Sequence, residues 1–259
     1  MTVIALCSAK GAPGVSTTAL GLAMVWPRPV VFVEADPSGG NWLLAGFFRG
    51  AREYDGGLVE LAISPLATGD ALRDVVHPFP DSSASFVLGV QNHAQASGLR
   101  SLWQPLAEAL GDLDAQGHDV IVDAGQLGQA GSPEPLLAWA DLTLLVTRSS
   151  LPSLSGARSR AGELGAPTTA WRQAGLLLVG EGRPYGAKDA GRSLGLPVVA
   201  AVAFDVAAAA VYSDGLTPPR KFDQGPYVRS LRAGADRICA AITRHREQLT
   251  ADVVEGAAP

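Results

Sequence analysis

Seven short apolar runs recur along the chain, at residues 3–7, 30–33, 86–90, 120–122, 142–146, 176–179 and 197–202, with few polar residues inside them. A strand with one wet face alternates apolar and polar side chains. Near-continuous runs belong to strands covered on both faces, as in a parallel sheet between helices. Helical patterns fill the intervals, at 16–25, 101–116, 151–164, 187–194 and 227–249. In the second of these, Leu102, Leu106, Ala109, Leu110 and Leu113 fall on one face. The alternation predicts an α/β fold, a doubly wound and mostly parallel sheet with helices on both sides. Residues 1–249 read as a single domain and 250–259 as a flexible acidic tail.

The first run leads into Lys10-Gly11-Ala12-Pro13-Gly14-Val15-Ser16-Thr17 and then into a helix. Strand, glycine loop, hydroxyl residue and helix, in that order, frame a phosphate-binding loop. Gly11 and Gly14 permit backbone shapes that turn N–H groups toward a phosphate, and the helix start adds its dipole. Ser16 is placed to ligate Mg²⁺, with Thr17 beside it near an α-phosphate. The usual pattern sets a lysine just before the Ser/Thr; here that position is Val15. The competing reading of the segment is a Gly/Pro turn into a helix.

Two acids at later strand ends favour the phosphate reading. The second run ends in Glu34-Ala35-Asp36-Pro37-Ser38-Gly39-Gly40, and the fourth in Val122-Asp123-Ala124-Gly125. Asp123, followed by small residues, suits a carboxylate that holds a Mg²⁺-bound water. Asp36 suits a group that orients or deprotonates an attacking water. Carboxyl ends of parallel strands are where such folds bind ligands.

On these residues the chain resembles the ParA/MinD family of deviant Walker A P-loop ATPases. The family loop reads K-G-G-x-G-K-[ST]-[ST]; the chain matches it at Lys10, Gly11, Gly14, Ser16 and Thr17 and departs at Ala12 and Val15. The D-x-D-P-x-G segment matches residues 34–39, with Glu34 in place of the first Asp, and the hydrophobic-D-x-G segment matches residues 122–125. The resemblance spans residues 2 to about 245. It implies ATP and Mg²⁺ as ligands, nucleotide contacts along residues 10–17, Ser16 and Asp123 at the metal, and Lys10 and Asp36 as catalytic groups. It implies a homodimer formed on ATP, with Lys10 reaching the partner's phosphates, and a role in positioning cargo such as a chromosome or plasmid, a division site, a pilus or a secretion machine. Val15 removes one charge-assisted contact, which argues for weak binding and slow hydrolysis. A non-enzymatic scaffold with little or no nucleotide binding is the alternative.

Two further positions stay open. Arg148, after the fifth run, either supplies the missing cation or pairs with Asp123 or Glu34. Where the family often has an Asn that reads adenine, residues 179–185 carry Arg183 and Tyr185 instead; these stack on a base or form a solvated loop.

Net charge is −5, which excludes a strongly basic nucleic-acid footprint over the whole chain. Arg229, Arg232, Arg237, Arg244 and Arg246 on the last helical stretch are either a nonspecific DNA patch or a solvated face. Cys7 and Cys239 show no disulfide framework or metal spacing. No leader pattern is read at the start, no run reaches spanning length, and the end is too short and acidic for membrane insertion, so a cytoplasmic protein is expected. The protein partner or cargo is not legible.

Overall fold

The computed structural model describes residues 2–113, 117–164 and 171–256. Eight strands form one sheet: β1 Val3–Ser8, β2 Val30–Glu34, β3 His77–Pro78, β4 Ala84–Val87, β5 Asp119–Gln126, β6 Leu142–Arg148, β7 Ala174–Val179 and β8 Val198–Val202. Their order is β3-β4-β2-β5-β1-β6-β7-β8. Every pairing is parallel except that of β3 with β4. The seven apolar runs each hold a strand. β3, two residues long and ending in a proline, has no apolar run to announce it.

The described helices are α1 Val15–Val25, α2 Leu58–Ile63, α3 Thr68–Val75, α4 His93–Ala96, α5 Trp103–Asp112, α6 Glu134–Trp139, α7 Leu151–Leu164, α8 Ala187–Leu194, α9 Val206–Ser213 and α10 Pro226–Gly256. Residues 250–256 of the expected tail continue α10, and 257–259 lie outside the described residues. The end of the expected helix 101–116, at 114–116, also lies outside them. Among the described residues no helix is long and apolar enough to cross a membrane.

Strand alternation sorts the core into two layers. Val3, Ala5 and Cys7 of β1 face a cluster built with α2, α3, α5, α6, α7 and α8. Ile4 and Leu6 face the opposite cluster, built with α1, α9 and α10. In β5, Val120, Val122 and Ala124 join the first cluster and Ile121 the second. Asp119 and Asp123, in step with Ile121, therefore face α1.

Both carboxylates meet that helix. Asp119, 1% exposed, accepts hydrogen bonds from the Trp26 indole N–H at the end of α1 (2.8 Å), from the Thr2 amide (2.7 Å) and from Arg28 (2.8 Å). Asp123 accepts one from the Ser16 hydroxyl at its start. Four strand residues span about 13 Å and ten helical residues about 15 Å, so the two ties match in length. Beside Asp119 at the amino end of β1, the Asp141 carboxylate accepts from the Val3 amide (2.9 Å) and pairs with Arg246 of α10 (2.9 Å).

Candidate functional site

β2, β5 and β1 are adjacent, so their carboxyl ends bring residues 34–41, 123–126 and 9–14 to one crevice. The loop after β1 holds Gly11 at φ 73° and Gly14 at φ 103°, both left-handed. A Cβ on Gly11 would meet nothing within 4 Å, so there is open space beside the loop at this residue. Gly14 is the N-cap of α1 and offers no side chain to its first-turn amides. Those donors stay available to an anion.

Asp123 is buried, at 1% exposure. Burial is the largest influence on its carboxyl and, with the nearby Asp36 and Glu34 charges, pushes its pKa up to about 7 against the bonds from Ser16 and the Gly125 amide. That amide lies 3.1 Å from Asp123 Oδ1. A bulge follows: Leu6 pairs with Asp123, but Ser8 pairs with Gln126. Gly125 takes up the extra residue at φ 62°, and a Cβ there would overlap the Asp36 carboxyl. Only glycine combines that backbone with that contact. Gly125→Ala is expected to cost about 1–2 kcal/mol from the left-handed backbone alone, and more from displacing Asp36. Chemical denaturation measures it, and a loss below about 0.5 kcal/mol would show that the bulge simply relaxes.

Asp36 is half-buried and accepts the Ser38 amide at 2.8 Å, a local turn that leaves carboxylate capacity toward the crevice. Glu34 is different. Its two carboxylate oxygens accept the amides of Leu43 (3.2 Å) and Gly89 (3.0 Å), and burial raises its pKa. It ties the crevice loops together and has no free face for a ligand. His93, which the sequence does not mark, adds a bond between its Nδ1 and the Pro37 carbonyl (3.1 Å).

Along the loop, Lys10, Gly11 and Ala12 are exposed and Pro13 is buried. The Lys10 stem lies along α7 where Gly156 leaves space; a Cβ on Gly156 would be 3.5 Å from Lys10 Cβ. Val15 is 7% exposed and belongs to the α1-side core, so its side chain is a core residue. Arg148 donates to the Ala12 carbonyl (3.2 Å) and stands 5.2 Å from the Phe204 ring centroid. No described carboxylate pairs with it, so the expected alternative of a pair with Asp123 or Glu34 is not what the fold builds.

A cavity of about 180 Å³ opens beside the loop, lined by Pro13, Gly14, Thr17, Arg148, Phe204 and Asp205, among others. Arg183 also stacks on Phe204, at 5.2 Å, whereas Tyr185 packs toward the α7–α8 layer. Phe204 and Asp205 are absent from the sequence reading. The signal for Asp205 was its place before an alanine-rich helix: its Oδ1 caps α9 by accepting the Ala208 amide at 3.0 Å. A roomier cavity of about 470 Å³ lies at the amino ends of β2, β4 and β5, by Val31, Ser85 and His118, away from the loop.

The overall arrangement has close parallels among solved structures. The cell division ATPase MinD of Pyrococcus furiosus superposes with a TM-score of 0.74 at 17% identity, covering 93% of this chain and 99% of that one. MinD of Pyrococcus horikoshii OT3, complexed with Mg-ADP, gives 0.70 at 16%, covering 92% and 95%. This is the MinD/ParA fold. A ParA family ATPase of Chlorobium tepidum TLS gives 0.68 at 14%, covering 90% and 97%. No protein-family model matches the sequence, and no curated protein aligns with it. In the MinD/ParA fold of this chain, the open glycine cradle, the uncapped α1 amides and the Ser16–Asp123 pair fit a nucleotide with its metal. Among the described residues no three His, Cys, Asp or Glu side chains gather as a metal cage. Mg²⁺ is ordinarily held by one or two protein groups plus waters and phosphates.

Proposed function

We propose that the chain is a ParA/MinD-like nucleotide-dependent switch that dimerises on ATP and positions or regulates a cargo, with slow hydrolysis. The observation that carries this reading is the Ser16–Asp123 hydrogen bond beneath an open glycine loop, with Asp36 held against Gly125 on the next strand end. Residues 10–17 would hold the phosphates, and Ser16 and Asp123 the Mg²⁺. The metal supplies charge neutralisation on the phosphates. Asp36 has a free oxygen to accept a proton from, or orient, a water in the crevice. Lys10 would act across the dimer, from an exposed position on a loop whose other contacts do not depend on it.

Lys10→Ala is expected to leave the melting temperature unchanged and to abolish ATP-dependent dimerisation, read by sedimentation velocity with and without Mg-ATP. A variant that still dimerises would remove Lys10 from this role. The parent chain carries the wider test: absence of Mg-ATP binding at millimolar nucleotide would end the switch reading. It would leave a scaffold that keeps the fold, a reading favoured by the placement of Val15 in the core.

Arg232 is engaged with Asp223 and Arg246 with Asp141. Arg229, Arg237 and Arg244 are exposed on α10, and nonspecific DNA is the nucleic-acid class such a row suits.

A further inference from the structure

We propose that Arg148 supplies, from its own subunit, the cationic contact to the β- and γ-phosphates that Val15 cannot make; the proposal rests on the nucleotide reading above. A branched hydrocarbon at the last loop position has joined the core, so no cation rises from the start of α1.

The neighbouring strand provides one. Cys7 of β1 pairs with Leu145 of β6, so Arg148, three residues on, emerges alongside the loop that β1 feeds. Its guanidinium reaches the loop and donates to the Ala12 carbonyl at 3.2 Å. The Phe204 ring, 5.2 Å away, gives it an aromatic seat. No described carboxylate neutralises it. It lines the same cavity as Pro13, Gly14 and Thr17.

A guanidinium presents several N–H donors in a fixed fork, and one bond to a carbonyl leaves others for phosphate oxygens. A charge at this place, bonded to a loop carbonyl, can turn to an anion cradled by the same loop. The strand end fixes its root, which a long side chain on a flexible segment would lack. Arg183 shares the Phe204 ring but reaches it from the loop after β7 and makes no bond to the phosphate loop.

A purely mechanical role, holding Ala12 in place, predicts different behaviour. Glutamine keeps an N–H donor for that carbonyl and loses the charge; lysine keeps the charge. Mg-ATP affinity of the full chain, measured by calorimetry, is therefore expected to fall about ten- to a hundredfold in Arg148→Gln, with its melting temperature unchanged, and to be largely retained in Arg148→Lys. Adding Val15→Lys to Arg148→Gln should restore binding, because either residue then delivers the cation. If the parent binds and Arg148→Gln binds within about twofold of it, the role of Arg148 falls and the nucleotide site stands. A lysine variant no better than the glutamine one, or a double variant without rescue, overturns it equally. If the parent does not bind Mg-ATP, the nucleotide reading and this proposal fall together.

Discussion

Asp119→Ala is expected to remove about 3–5 kcal/mol of stability, because it strands buried donors rather than merely deleting an acceptor. The Trp26 indole N–H and the Thr2 amide both point at this carboxylate inside the protein, and neither side has water to turn to. Arg28, half exposed, keeps its solvation and adds little. For a chain of this size the loss corresponds to a fall of roughly 6–20 °C in melting temperature. Calorimetry of Asp119→Ala beside Asp119→Asn separates charge from hydrogen bonding, since the amide oxygen still accepts. A drop below about 1 kcal/mol in the alanine variant would show that the amino end of the sheet does not depend on this hub.

Asp123→Asn should act in the opposite sense on stability while removing the carboxylate proposed to hold the metal. In the folded, metal-free protein the carboxyl titrates at about 7, well above its ordinary 3.8. Between those values the folded chain keeps a proton that the unfolded chain has released. Stability therefore falls as pH rises through that window and levels off above it. Asparagine does not titrate but still accepts from Ser16 and Gly125. The two proteins should be equally stable near pH 4 and diverge as pH rises, the variant gaining up to about 4 kcal/mol above pH 7. Mg-ATP should stabilise the parent there and leave the variant unmoved. Parallel stability curves for both proteins from pH 4 to 8 would mean that Asp123 is not held in an unfavourable ionised state.

Much of this was legible beforehand, for identifiable reasons. Runs such as 30–33 and 176–179 have no polar face to mistake, so β2 and β7 fell where expected. The Ser16–Asp123 meeting followed from a loop spacing and a strand end. What was not legible depends on tertiary contact. The bulge at Gly125 leaves no mark beyond one glycine, and its reason is a carboxylate from another strand. Phe204 became part of the crevice only because β8 runs beside β7 and ends there. Glu34 stands where the resembled segment has its first Asp, and what occupies its oxygens, the Leu43 and Gly89 amides, comes from outside that segment. The short helices α2, α4 and α6 carry too few turns to show a periodic face.

The two aspartates of β5 also make that strand a ruler. Its four-residue step between Asp119 and Asp123, about 13 Å, comes close to the roughly 15 Å that α1 covers between Ser16 and Trp26, so the glycine loop is gauged against the amino end of the sheet. Any inserted or deleted residue in α1 would rotate Ser16 by about 100° and throw the two ends out of phase. The length of α1 thereby matters to this crevice as much as any side chain that lines it.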